Sequence, residues 1–142
     1  MSIFTETEVD YLNSQLLGRL ATVGPDGRPH VMPVGVFYDA AAEAIVIGGA
    51  LDMSASKKFR DAQRNPDVAV VVDDLASVDP WTPRGMEIRG RAETHMTGGE
   101  ETGQRVGAGF PFHPAWIRIR PYRILAWGLE SDSYELSARD VA

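Results

Sequence analysis

From about residue 19 to residue 129 the chain breaks into short β-prone runs. Most of the joins between them are turns too tight to hold a helix. RLATV at 19–23 reads as a strand and ends at Pro25-Asp26-Gly27, a turn. Residues 28–38 form a long run rich in β-branched and aromatic side chains. Pro33 and Gly35 flank Val34 there, marking a bulge, a bend or a close approach of a ligand to the backbone. A turn at 39–43 leads to AIVIGG at 44–49, and VAVVV at 68–72 is apolar throughout, as in a strand buried on both faces. MEIRGRAE at 86–93 alternates strictly, which predicts a half-buried strand with a charged outer face. Two strands at about 115–120 and 123–129 are expected on either side of Pro121, followed by a polar tail. Six or seven strands joined in this way predict a mainly β fold, an antiparallel barrel with two or three peripheral helices.

The helices have their own signals. Thr5 and Glu8 form a capping box. Val9, Leu12, Leu16 and Leu17 follow at helical spacing and Gly18 is placed to stop the turn, so a helix is expected over 5–17. A second helix is expected at 54–65, ended by Asn65-Pro66. Residues 98–109 read as a weak helix or a mobile loop. The loop holding Pro80, Trp81, Pro83 and Gly85 either shapes a substrate mouth through Trp81 or anchors itself with it.

At 142 residues this is one domain, spanning 1–142. The absence of cysteine removes disulfides, iron–sulfur clusters, thiolate zinc sites and a cysteine nucleophile, and makes the cytoplasm the default compartment. The acidic, amphipathic N-terminus does not read as a signal peptide, and no apolar run approaches the length of a membrane span. A net charge of −6 argues against nucleic acid as a partner.

Against that acidic background the only two lysines, Lys57 and Lys58, are adjacent. They belong to GGALDMSASKK, in which Gly48 and Gly49 end a strand and Ser54, Ser56 and the lysines open a helix. A helix start presents free N–H groups and partial positive charge, serines add donors, and glycines admit a ligand to the backbone. Arg60 and Arg64 extend the Lys57 face. The same residues also read as a serine cap with solvated lysines; the scarcity of lysine elsewhere favours an anion site. No Walker-type or dinucleotide glycine motif and no G-x-S-x-G elbow occurs. His30, His95 and His113 lack metal-ligand spacing and read as surface or capping residues, so no metal is expected and no catalytic residue is assigned. A phosphate pocket without its own nucleophile suits a redox cofactor. Trp127-Gly128, ending the last strand, presents either an indole to a flat ring system or a barrel-end core residue.

The order of these segments, with the Ser-Lys-Lys element, the Asn-Pro after it, Gly-Arg-Ala-Glu at 90–93 and the final Arg-Ile-Leu-Ala-Trp-Gly, resembles the pyridoxamine 5′-phosphate oxidase superfamily over about residues 5–130. The resemblance implies a split β-barrel homodimer with cofactor grooves between subunits. It assigns Ser56, Lys57 and Lys58 to the cofactor phosphate and Trp127 to the cofactor region. It makes Arg84 and Gly85 candidates for the partner's site, and Arg139 a further anionic contact. The vitamin B6 oxidase pattern itself fails: of its Tyr-Arg-Ser helix only Arg105 matches, beside Glu101 and Gly109. Ser133 and Glu135 stand where an Arg-x-His pair is required, and a glutamate repels a substrate phosphate. The short length and the WIRIRPYRILAWG ending resemble the branch that binds the deazaflavin coenzyme F420, with FMN as the alternative. The implied activity is hydride transfer to an unsaturated small molecule, with Tyr38, His30 or water as proton source. A flavin-binding module without turnover is the remaining reading.

Overall fold

The computed structural model describes residues 2–130 and 135–142. In chain order these form α1 (Glu6–Ser14), β1 (Leu17–Val23), β2 (Pro29–Asp39), β3 (Ala44–Ile47), a 3₁₀ turn (Met53–Ala55), α2 (Lys57–Arg64), β4 (Asp67–Ser77), β5 (Thr82–His95), α3 (Gly99–Arg105), β6 (Trp116–Trp127) and β7 (Leu136–Asp140).

Every strand pairing is antiparallel. Strands β3-β2-β1-β4-β5-β6 run side by side, and β3 closes on β6 through Ile45↔Ile119 and Ile47↔Ile117. The result is the expected barrel, with β7 added outside it along the second half of β6. Strand β6 therefore changes its second neighbour near Pro121, from β3 to β7. The two strands expected around Pro121 are one. Proline has no N–H for the ladder, and a bulge at Arg89/Gly90 opposite it absorbs the break. Gly90 is required there, because a Cβ would lie 2.6 Å from the Arg120 carbonyl oxygen.

The capping box forms, with Thr5 Oγ1 accepting from the Glu8 N–H at 3.1 Å and Glu8 Oε1 accepting from the Thr5 N–H at 2.9 Å. The helix stops at Ser14, short of the expected 17, and Gln15 caps it. Gly18 lies inside β1, where a Cβ would meet Val36 Cγ2 at 2.7 Å. Its role is close packing, not helix termination.

Helices α1 and α2 close opposite ends of the barrel, with Tyr11 and Leu12 buried from one and Phe59 and Ala62 from the other. Between them Leu20, Val70, Val72, Met86, Ile88 and Ile124 fill the interior. Strand β4 alternates: Val68, Val70 and Val72 are buried, while Ala69 and Val71 are half-exposed on the outside. The reading of VAVVV as buried on both faces thus fails within one chain. Its outer residues join Ala21 of β1 and Val31 of β2 in a row across three strands, beside Pro33 and Leu17. Val31 and Leu17 are 62% and 59% exposed, so this sheet face carries uncovered apolar side chains, with Arg19, ion-paired to Asp73, set between Val71 and Pro33.

Candidate functional site

The two glycines after β3 differ in their surroundings. Gly48 is buried under the Phe112 ring, which a Cβ would strike at 2.3 Å, whereas a Cβ on Gly49 meets nothing within 4 Å. The Gly49 carbonyl accepts from the His113 N–H at 2.7 Å, so the segment before β6 braces the loop and leaves one glycine facing open space.

The serines of the next segment are engaged locally. Ser54 Oγ donates to Asp52 Oδ1 at 2.5 Å, and this bond, ahead of the burial that opposes it, holds the Asp52 carboxyl below the usual range. Ser56 caps α2: its Oγ accepts from the Phe59 N–H at 3.3 Å and donates to the Met53 carbonyl at 2.6 Å. What remains at the helix start is its free backbone N–H groups and the side chains that follow.

Those side chains are not equivalent. Lys57 Nζ lies 3.0 and 3.1 Å from the two oxygens of Asp61, an i,i+4 pair. The Asp61 side chain is 2% exposed and also accepts from Thr22 Oγ1 at 3.1 Å. Burial alone drives this carboxyl up; the bonds from Lys57 and Thr22 more than reverse that, and its pKa lies below the ordinary value. Arg60 donates to the Ala55 carbonyl at 2.9 Å. Lys58, half-buried, and Arg64, exposed, have no acidic partner among the described residues.

Arg84, Trp127 and Arg139 lie at the α1 end. Gly85 pairs with Trp127 in the β5–β6 ladder, and a Cβ on Gly85 would meet the indole at 2.6 Å. Arg84 grips Asp74 with two bonds, at 2.7 and 3.0 Å, and its guanidinium sits 5.2 Å from the Tyr11 ring centre. The Tyr11 hydroxyl donates to the same carboxylate at 2.8 Å, and burial followed by that bond pushes its phenol well above the ordinary range. Arg139 bonds Glu8, whose side chain is 3% exposed, at 2.8 Å, and also the Ile3 carbonyl. Two cavities of about 290 Å³ share Leu129; Trp127 lines one, and Tyr11 and Arg84 the other.

The sequence candidates thus fall into two groups. Gly48, Gly49, Ser54, Ser56, Lys57, Lys58 and Arg64 gather at the α2 end, and Arg84, Gly85, Trp127 and Arg139 at the α1 end. Strand β6 connects the two ends, and from Ile117, beside β3, to Trp127 it runs roughly 30 Å along the chain. Val34 packs its side chain into the core, 6% exposed.

Reading the sequence missed the carboxylates. Asp61 stands four residues after Lys57, a spacing that signals the pair; Asp74 and Glu8 gave no local sign of their arginine partners. Arg105, the survivor of the B6 pattern, is bound to buried Asp39. Glu135 is exposed just ahead of β7, while Ser133 lies outside the described residues. His95 stacks on Trp116, and His113 Nδ1 accepts from the Ala115 N–H. Among the described residues no group of three His, Asp or Glu side chains is arranged to hold a metal, and no helix is long and apolar enough to cross a membrane.

A family model for pyridoxamine 5′-phosphate oxidase matches residues 4–127. The chain belongs to that family. It is 42% identical over 139 residues, 97% of this chain and 93% of the other, to the 5a,11a-dehydrotetracycline/5a,11a-dehydrooxytetracycline reductase of Streptomyces rimosus subsp. rimosus. A conserved hypothetical protein of Mycobacterium tuberculosis superposes with a TM-score of 0.68 at 26% identity, covering 89% of this chain and 86% of that one. A putative pyridoxamine 5′-phosphate oxidase of Listeria innocua shares the fold at a TM-score of 0.62 and 20% identity, over 82% and 92% of the two chains. Family and relative together make the chain an oxidoreductase of the split-barrel class.

Proposed function

We propose that this protein is a reductase that uses reduced coenzyme F420 to deliver hydride to an unsaturated, conjugated small molecule. The observation that carries the reading is the 42% identity, along nearly the whole chain, to a reductase of dehydrotetracyclines. The α2 end fits a phosphate-bearing cofactor: Lys58 offers an ammonium with no acidic partner among the described residues, α2 offers its free N–H groups, and Gly49 leaves the backbone open. FMN shares that phosphate chemistry and is the second reading.

The bound coenzyme supplies the hydride chemistry. The chain's part is to anchor the anion, hold the ring system and exclude water. Of the two side chains expected as proton sources, His30 lies at the α2 end, next to Asp61, whereas Tyr38 sits at the other end of β2 against Phe4. If a side chain gives a proton near the anchored cofactor, His30 is the better placed of the two.

The reading includes a homodimer. One chain keeps the α2 group and the Trp127 group at opposite barrel ends, so a site using both takes them from two chains. The uncovered face formed by Val31, Ala21, Ala69, Val71 and Leu17 offers apolar side chains for that association, around the Arg19–Asp73 ion pair.

Titration of the purified protein with F420 and separately with FMN, followed by tryptophan fluorescence, tests the cofactor. Sedimentation gives the oligomeric state, and turnover of a dehydrotetracycline with reduced F420 tests the reaction. Tight F420 binding, a dimer and turnover are expected. Preference for FMN moves the protein to the flavin branch. F420 binding without turnover of any conjugated ketone makes it a binding module.

A further inference from the structure

We infer that the adjacent lysines divide the work and that Asp61 is the positioning residue of the anion site: Lys57 is a strut locked onto Asp61, and Lys58 alone presents a free charge. Asp61 lies on the inward face of α2 with Phe59 and Ala62, and its side chain is 2% exposed. A carboxylate there loses its hydration and needs replacement partners. It receives three bonds, two from Lys57 Nζ and one from Thr22 Oγ1 of β1. The ammonium lies against the β1–β2 turn, where a Cβ on Gly24 would sit 3.1 Å from it. Helix α2 is thereby fastened to β1 through Thr22, with the Lys57 ammonium lying beside the turn that follows.

An ammonium has three donors, and two of those on Lys57 face Asp61. Turning them to a bound anion would strand a buried carboxylate with one hydroxyl for company. Lys58 is the next residue, about 100° round the helix, and has no acidic partner among the described residues. The pair Lys57–Asp61 is neutral as a unit. The charge that the start of α2 offers an anion is therefore the Lys58 ammonium plus the helix N–H groups, and its geometry is set by a residue that touches no ligand. Arg64, likewise without an acidic partner among the described residues, stands at the far end of the helix. The Lys58 half of this inference rests on the cofactor reading; the Lys57–Asp61 half stands without it.

Four variants of the full chain test it, each measured for melting temperature and for binding of F420 and FMN: K58M, K57M, D61N and the double replacement K57M/D61L. Lys58→Met should weaken the probe that the unaltered protein binds by about tenfold or more, at an unchanged melting temperature. Lys57→Met and Asp61→Asn should each lower the melting temperature by roughly 5–10 °C. Below its melting temperature Lys57→Met should bind within about threefold of the unaltered protein. The double replacement should regain most of the lost stability, because an apolar pair substitutes for a buried ion pair, and should keep binding with neither charge present. That recovery separates a strut from a ligand contact. A tenfold loss of binding in folded Lys57→Met or in the double variant would overturn the division of labour, as would a Lys57→Met protein that melts with the unaltered one. If the unaltered protein binds neither probe, the cofactor reading falls, and the melting temperatures decide the strut by themselves.

Discussion

The two ends of the barrel handle positive charge in opposite ways. At the α1 end both candidate arginines are consumed by the fold: Arg139 grips Glu8 and Arg84 grips Asp74. At the α2 end one lysine is locked by Asp61, while Lys58 and Arg64 have no acid among the described residues. A cation count taken from the sequence treats these ends alike. The carboxylates decide otherwise, because a buried or half-buried acid claims the nearest cation before a ligand can. The α1 end is a clasp between the N-terminal helix, the β4–β5 hairpin and β7, and the α2 end is where charge remains to attract an anion.

The largest effect that would test this contrast is at Arg139. Glu8 is 3% exposed on its side chain, so Arg139→Ala leaves a buried carboxylate without its cation and frees β7 from α1. A loss of about 3 kcal/mol is expected, the low end for breaking a buried pair because Arg139 is itself one-third exposed. Chemical denaturation measures it, and F420 affinity should stay within about twofold, since no charge offered to a ligand is removed. Unchanged stability with a large loss of affinity would return Arg139 to the binding site and erase the difference between the ends.

Arg84 sharpens the comparison at a smaller scale. Asp74 is 29% exposed on its side chain and keeps its bond from Tyr11, so Arg84→Met should cost about 1–2 kcal/mol. In the dimer reading, Arg84 stands near the partner's cofactor. With its guanidinium doubly bonded to Asp74, it is expected to serve as a wall and not as an anion contact. Binding within about threefold of the unaltered protein supports that; a tenfold loss means that Arg84 exchanges Asp74 for the coenzyme across the interface.

Which parts of this were legible in the sequence follows from the range of the forces involved. The strands were legible because alternation and turn chemistry are local: MEIRGRAE lies in β5, and Pro25-Asp26-Gly27 turns β1 into β2. The start of α1 was legible in its capping box, but not its end, because Leu16 and Leu17 keep helical spacing while the chain has already turned toward the β1–β2 ladder. Pro121 reads as a breaker until its pairing with Gly90, thirty-one positions earlier, leaves Tyr122 out of register as the bulge that accommodates it. Strand β7 reads as a tail, since its exposed pattern has no apolar face and only pairing with β6 defines it. At the candidate site the motif was legible but its electrostatics were not. The Lys57–Asp61 spacing is local; that Asp61 faces the core beside Thr22 is a property of the closed barrel.

Acidification compares the ends with the smallest expected effect. Asp61 is held below its ordinary pKa by Lys57 and Thr22 against burial. Asp74 is held below its own, first by the Arg84 bond and then, after opposing burial, by Tyr11. For a depressed carboxyl the unfolded chain binds the proton more readily than the folded one. Its contribution is therefore complete above the unfolded pKa, about 4, and disappears as the pH falls through the lower folded value. The melting temperature should be level from pH 8 to about pH 5 and decline below about pH 4. Asp61→Asn should flatten that decline more than Asp74→Asn, because the 2% exposed Asp61 side chain is hardly screened by solvent whereas Asp74 is partly wet. Melting curves of the three proteins between pH 3 and pH 8 measure the slopes. Equal slopes for Asp61→Asn and the unaltered chain would mean that the α2 end holds no electrostatic lock, and Lys57 would then count with Lys58 as charge free to bind.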